Sequence, residues 1–185
     1  MDTGTENYLR FLCGDESGLV QIVTQYKDGL IFYLNSIVGD LHLAEDLAED
    51  TFVRLFTKKP RDKGKGSFKT WLYAIGHNVA VSYLRRASVK NEIPMELCEP
   101  LLESEEDPAG RYLKEESKVA LHRAMGKLKP EYRQVLWLIY FESFSCKEAA
   151  AVMRKSVHNT EVLASRARQA LKAQLNKEGF IYEIQ

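Results

Sequence analysis

Aromatic and basic side chains alternate between residues 65 and 86 in a way that suits nucleic-acid binding. Aromatic rings stack on unpaired bases, at about 1 to 3 kcal/mol per base, while cations hold the phosphates. The pattern predicts a surface for single-stranded DNA, and for Trp71 a place in the hydrophobic core is the alternative. The residues that form the pattern are Lys65, Lys69, Trp71, Tyr73, Tyr83, Arg85 and Arg86.

A second candidate site for DNA lies near the C-terminus. Ser145 and Glu148 have the spacing of a capping box, which predicts a short helix that ends near Met153. After a turn, Ser156 can cap a longer basic helix that reaches about Leu175. This order is typical of a helix-turn-helix, although two such helices can also serve only for packing. The residues expected to contact DNA are Lys155, His158, Asn159, Arg166 and Arg168, the two arginines through phosphates.

Four acidic residues, Glu45, Asp46, Glu49 and Asp50, fall on outer positions of a predicted helix. Clustered carboxylates can bind a metal ion, but on a helix the two glutamates point about 100° away from the two aspartates. That arrangement is a poor octahedral cage for magnesium. From charge alone, a solvated helix face is the simpler interpretation.

The elements that carry these residues are predicted to be helices. Apolar residues recur at steps of three and four along most of the chain, and no stretch alternates as a strand would. Helices are predicted over about 19–37, 41–56 and 67–87, and Pro60 with two glycines marks a loop before the third. The sequence therefore predicts an all-α fold.

The segment from residue 88 to 110 has a different composition. It contains three prolines and many glutamates and lacks helical periodicity. These features predict a flexible acidic linker, which could span about 75 Å at 3.3 to 3.6 Å per residue. The chain is thus predicted to have two small helical domains, over 1–87 and 111–185, with the helix-turn-helix in the second.

The composition excludes several classes of protein. The chain has 26 basic and 26 acidic residues, but the charges alternate in blocks, which suggests several partners. Cys13, Cys98 and Cys146 form no C-x-x-C pair and the histidines lack ligand spacing, so no disulfide, metal or cofactor is predicted. Because no long apolar run or signal sequence is present, we expect a cytoplasmic protein without a membrane span.

Three stretches carry more specific motifs. A-E-D-L-A-E-D-T-F runs from Ala44 to Phe52, F-K-T-W-L-Y from Phe68 to Tyr73, and L-K-P-E-Y-R from Leu128 to Arg133. Together with Asn78 and with Y-L-R-R from Tyr83, they resemble the motifs of the bacterial RNA polymerase sigma factors of the sigma-70 family. Two linked domains with no third between them resemble the extracytoplasmic-function class.

The resemblance implies a function in promoter recognition and melting rather than in catalysis. Region 2, at about 26–86, would bind the core polymerase through Glu45, Asp46, Glu49 and Asp50. It would also take up the non-template strand of the -10 element, with Asn78 as a base contact. Region 4, at about 120–175, would bind the -35 element.

The resemblance also implies further partners. An anti-sigma factor is an expected inhibitor, and the linker would thread a polymerase channel otherwise used by nucleic acid, although a simple tether explains its composition equally well. The chain departs from the family pattern at Gly76, Ser82 and Glu161. Glu161 in the recognition helix would either repel phosphate or accept a hydrogen bond from a cytosine amino group.

Two other functions are open to test. A free-standing helix-turn-helix regulator would bind duplex DNA tightly without the polymerase, but it leaves the aromatic and basic segment without a role. An enzyme acting on nucleic acid would need a phosphate loop, a zinc-binding motif or converging carboxylates. The sequence has none of these motifs.

Overall fold

The computed structural model describes residues 2–59, 66–89 and 120–177. Within these ranges every regular element is a helix, so the predicted all-α fold is confirmed. The N-terminal domain contains α1 (Thr3–Leu12), α2 (Ser17–Val38), α3 (Leu41–Lys58) and α4 (Phe68–Val89). The C-terminal domain contains α5 (residues 120–126), α6 (Pro130–Leu136), a π-helical turn (Trp137–Phe141), α7 (Cys146–Met153) and α8 (Val157–Lys177).

The helices α2, α3 and α4 form the centre of the N-terminal domain. The chain leaves α2 at Gly39, whose φ of 72° is one that glycine adopts without strain. Asp40 then starts α3, because its side chain accepts a hydrogen bond of 3.1 Å from the amide of Leu43. The apolar stripe expected on α3 is buried, and consists of Ala44, Leu47, Ala48, Thr51, Phe52 and Leu55.

Helix α1 was not among the predicted elements. Asp2 caps it, and one carboxylate oxygen accepts a hydrogen bond of 2.8 Å from the amide of Thr5. The other oxygen accepts a bond of 3.0 Å from the amide of Phe68, the first residue of α4. A single carboxylate therefore joins the beginnings of two helices, and it fixes α1 beside the loop that precedes α4.

The C-terminal domain contains the predicted helix-turn-helix. Both halves of the capping box are present, since the amide of Glu148 donates to Ser145 Oγ at 3.2 Å and the amide of Ser145 donates to the Glu148 carboxylate at 3.0 Å. Helix α7 ends at Met153, and its C-cap residue Arg154 is left-handed with a φ of 55°. Ser156 then accepts from the amide of Asn159 at 3.2 Å, as expected of the cap of α8.

The C-terminal domain packs directly on the N-terminal domain. Helix α7 lies against α4 and α6 lies against α2, so that buried side chains of both domains form one continuous core. The ring of Phe144 meets that of Tyr73 edge-on, with their centroids 5.1 Å apart. Most of the predicted linker lies outside the described residues, and its first two residues continue α4.

Candidate nucleic-acid interface

The predicted DNA-binding residues of α4 do not share one face of the helix. Successive residues of an α-helix are about 100° apart, so Trp71, Asn78 and Arg85 lie within about 40° of one another. Lys69 and Tyr73 lie roughly opposite, on the side that contacts Glu142 and Phe144 of the C-terminal domain. Lys65 lies outside the described residues. The helix thus presents one predicted surface to solvent and another to the C-terminal domain.

Lys69 and Tyr73 are both held by Glu142, the residue that follows the π-helical turn. Nζ of Lys69 lies 2.9 Å from the Glu142 carboxylate and donates a bond of 2.8 Å to the Glu142 backbone carbonyl. Tyr73 is fully buried and donates a bond of 2.7 Å to the same carboxylate. Burial, and next the negative charge of Glu142, raise the pKa of Tyr73. Neither side chain is free to contact DNA in this arrangement.

Trp71 combines the two roles that the sequence left open. Its ring meets those of Tyr8 and Phe68 nearly edge-on, at centroid distances of 5.2 and 5.7 Å. These contacts make it part of the packing between α1 and α4. Trp71 is nevertheless only half-buried, so part of its surface remains available to a base.

The remaining candidates on α4 are more accessible. Arg85 and Arg86 are exposed near the end of the helix, and Asn78 is half-buried in its middle. Tyr83 is half-buried and packs against the core. Arg85, Arg86 and the exposed parts of Trp71 and Asn78 form the solvent-facing part of the predicted surface for single-stranded DNA.

The recognition helix α8 displays its candidates to solvent. Asn159 and Arg166 lie on one side of the helix, within about 20° of each other, and Arg168 lies roughly opposite with Glu161. The side chain of Lys155 forms an ion pair of 2.9 Å with Glu131 of α6. The exposed candidates are His158, Asn159, Arg166 and Arg168.

The acidic residues of α3 form a continuous exposed surface. Glu45, Asp46, Glu49 and Asp50 are all exposed, while the opposite side of the helix packs on α2 and α4. Glu45 has a basic neighbour in His42, at 3.5 Å. Among the described residues, no three potential metal ligands converge here or elsewhere. This side of α3 therefore presents four carboxylates to solvent.

Two residues at the domain interface were missed by the sequence analysis. Glu142 belongs to no motif, and its role depends on contacts with α4, which is about seventy residues away in the chain. Gly29 does leave a signal, because a glycine in the middle of a helix usually has a packing reason. A Cβ at this position would lie 2.5 Å from the Tyr73 hydroxyl and 2.7 Å from a carboxylate oxygen of Glu142.

The departure at Gly76 also has a structural reason. A Cβ there would lie 2.9 Å from Cδ1 of Leu30, which is closer than such atoms normally approach. Glycine therefore allows α4 to pack tightly against α2. Ser82, the other departure in this helix, is half-buried.

These features define a two-domain, all-helical DNA-binding protein. The chain matches the family models for Sigma-70 region 2, over residues 22–89, and Sigma-70 region 4, over residues 118–171. It is 32% identical to the ECF RNA polymerase sigma factor SigM of Bacillus subtilis, over 85% of this chain and 94% of that protein. SigW of the same organism is 28% identical, over 88% and 91%. The chain therefore belongs to the sigma-70 family, as an RNA polymerase sigma factor of the extracytoplasmic-function class.

Solved structures have the same fold. The sigma factor RpoE of Bartonella quintana, in complex with the anti-sigma factor NepR, superposes with a TM-score of 0.69 at 21% identity, over 84% of this chain and 95% of that one. CnrH, in complex with the cytosolic domain of CnrY, has a TM-score of 0.67 at 24% identity, over 95% and 99%. Sigma factors are in general non-catalytic initiation factors. No helix within the described ranges has the length and apolar character needed to cross a bilayer.

Proposed function

We propose that this sigma factor divides promoter recognition between its two domains and binds the core polymerase through α3. The N-terminal domain, over about 1–87, binds the core and the -10 element, and the C-terminal domain, over about 111–185, binds the -35 element. The proposal rests on the four exposed carboxylates of α3. A basic surface of the polymerase would be complementary to them in charge.

The two DNA surfaces suit different forms of DNA. Trp71 and Asn78, with Arg85 and Arg86 beyond them, offer stacking and charge to an unpaired strand, which suits promoter melting. The N-terminal part of α8, with His158 and Asn159, suits base edges in the major groove, while Arg166 and Arg168 suit phosphates. Lys155 would contact DNA only after leaving Glu131, with which it is paired. Lys65, Lys69, Tyr73 and Tyr83 complete the proposed set.

We also infer that the chain is not an enzyme and acts in the cytoplasm, where its polymerase partner is found. An anti-sigma factor is proposed as its inhibitor, and the complex of RpoE with NepR supports this idea by similarity of fold. No cofactor is proposed.

The test is co-elution with core polymerase, followed by binding to a library of fluorescent promoter fragments with and without the core. We expect sequence selection only in the mixture. Replacing Glu45, Asp46, Glu49 and Asp50 by alanine should abolish co-elution, because four charges of the docking surface are lost. A control replaces two exposed carboxylates outside this surface, those of Glu16 at the N-cap of α2 and of Asp28 within α2, and should still co-elute.

Two results would contradict the proposal. If the α3 variant co-elutes as well as the control, the acidic surface is only a solvated helix face. If the chain never binds the core and selects duplex DNA alone, it acts as a free-standing regulator.

A further inference from the structure

We propose that the packing of the two domains on each other is a closed form that cannot occupy a promoter, and that Glu142 holds it closed. The inference rests on the proposed function, because it concerns the surfaces assigned there to the -10 and -35 elements. The bonds of the Glu142 residue to Lys69 and Tyr73 form the Glu142 contact.

Distance alone prevents the closed form from binding both promoter elements. Helix α7 packs on both α4 and α8. Since packed helix axes are about 8 to 10 Å apart, α4 and α8 lie within about 20 Å of each other. DNA rises about 3.4 Å per base pair, so elements centred near -10 and -35 are about 85 Å apart. The two domains must therefore separate before both elements can be bound.

The covalent connection permits this separation. The 30 residues from 90 to 119 join α4 to α5. At 3.3 to 3.6 Å per residue, they can reach about 100 Å, which exceeds the distance between the two elements. The contacts between the domains, rather than the length of the chain, therefore keep the form closed.

The Glu142 contact joins the two domains through one ion pair and two hydrogen bonds. The Glu142 side chain is 13% exposed and that of Lys69 is 31% exposed, so water screens their charges only in part. The Lys69 ammonium also lies 5.0 Å from the ring centroid of Phe144, within the range of a cation–π interaction. A second, weaker link joins Thr70 to Glu148 at 3.4 Å. Loss of the Glu142 carboxylate would leave the half-buried Lys69 charge without its anionic partner, although the Glu142 backbone carbonyl remains as an acceptor.

Helix α2 leaves space for the Glu142 carboxylate at Gly29. Gly29 lies in the middle of this 22-residue helix, where glycine is unfavourable, and no turn or positive φ requires it. A Cβ at position 29 would lie 2.7 and 3.0 Å from the two carboxylate oxygens and 2.5 Å from the Tyr73 hydroxyl. Glycine at position 29 therefore makes the helix less stable, but it leaves the space that the Glu142 carboxylate and the Tyr73 hydroxyl occupy.

The closed form also covers part of the proposed DNA surface. Lys69 and Tyr73 are both bound to Glu142, and the Phe144 ring lies against Tyr73. These two side chains become available only when the C-terminal domain leaves. Opening would therefore release two proposed DNA contacts on α4 and separate the two DNA-binding domains in one step.

The first experiment measures the size of the full chain by small-angle X-ray scattering. A compact chain of 185 residues has a radius of gyration of about 16 Å, and we expect the wild type to lie near this value. Glu142→Lys and Gly29→Ala should each increase it by several Å. The first places a cation beside Lys69, and the second places a methyl group in the space that the Glu142 carboxylate and the Tyr73 hydroxyl share. Asp15→Lys is the matched control, since it reverses a charge that pairs with Arg10 within one domain.

The second experiment measures promoter binding by the same proteins with core polymerase. If about nine in ten wild-type molecules are closed, opening raises the apparent promoter affinity about tenfold. Glu142→Lys and Gly29→Ala lie in different domains, so a shared gain cannot come from the unfolding of one domain. The gain in promoter affinity should occur with unchanged helix content, as measured by circular dichroism.

The outcomes separate this inference from the proposed function. A wild type that is already extended, or variants as compact as the Asp15→Lys control, would overturn the closed form held by Glu142. A wild type that fails to select promoters with the core would instead overturn the proposed function, whatever scattering shows. Expansion of both variants together with tighter promoter binding would support the inference.

Discussion

The hydroxyl oxygen of Tyr33 lies 2.9 Å from Nδ1 of His77, in the interior between α2 and α4. Tyr33 is fully buried and His77 is 9% exposed. Burial, and next the positive charges of Arg154 and Lys155 in the C-terminal domain, lower the pKa of His77 to about 4. The imidazole is therefore neutral in the folded protein at pH 7, and a neutral Nδ1 can accept the hydrogen bond from Tyr33.

This pair predicts a loss of stability on mild acidification. The unfolded chain binds a proton at His77 near pH 6.5, whereas the folded chain does so only near pH 4, so acidification favours the unfolded state. His77 should contribute a loss of about 3 kcal/mol in the free energy of unfolding as the pH falls from 6.5 to 4. Urea denaturation at several pH values measures this loss.

His77→Gln should remove this part of the pH dependence, since glutamine does not titrate and can still accept from Tyr33. His42→Gln is the control, because the His42 side chain is 96% exposed. Equal pH dependence in wild type and His77→Gln would show that His77 does not cause the loss.

The carboxylate of Asp2 should contribute to stability at the beginnings of α1 and α4. Burial alone would raise the pKa of Asp2, but hydrogen bonds from the amides of Phe68 and Thr5 lower it below 3.8. Asp2→Ala should reduce the free energy of unfolding by about 1 to 2 kcal/mol, and Asp2→Asn should cost less because an acceptor oxygen remains. Thermal unfolding at pH 7 compares the variants. No loss in Asp2→Ala would mean that neither helix depends on this cap.

The two arginines of α8 should each contribute one phosphate contact in the promoter complex. A helix in the major groove has a DNA strand on each side, so Arg166 and Arg168 can both reach phosphates although they lie on opposite sides of α8. Replacing either by glutamine should reduce the slope of log K against log salt by about 0.9. Titrations of the holoenzyme with promoter DNA at several salt concentrations measure the slope. An unchanged slope would show that the replaced arginine does not contact a phosphate of the promoter.

Glu161 should weaken DNA binding without selecting a base. It lies on the side of α8 that carries Arg168, roughly opposite Asn159, so its carboxylate is placed to repel a phosphate. Glu161→Gln should therefore raise the affinity of the holoenzyme for all -35 sequences by a similar factor. A selective loss at sites with cytosine would instead show that Glu161 accepts from a cytosine amino group. Competition among -35 variants distinguishes the two results.

Much of the local structure followed from short-range patterns. Spacings of three and four residues located α2, α3 and α4, and the capping box at Ser145 with the cap at Ser156 located the helix-turn-helix. These signals are readable because each depends on residues within one helical turn. The motifs on α3 and α4 likewise indicated the family, which the comparisons confirmed.

The short helix α1 was missed because several of its stabilising contacts are not local. Its cap, Asp2, also bonds to Phe68, and its Tyr8 packs on Trp71, both on α4. A ten-residue helix is only marginally stable by itself, so its own sequence carries a weak signal.

By itself, the sequence determined the helices, the order of the two domains and the family, because these depend on residue types at fixed short spacings. The tertiary structure decided which of the predicted side chains face solvent. Lys69 and Tyr73 have the residue types of a DNA surface, yet both are bound to Glu142, which is about seventy residues away in the chain. The physical reason is that such a contact depends on the fit of two folded surfaces, here the carboxylate beside Gly29, and no local periodicity records that fit.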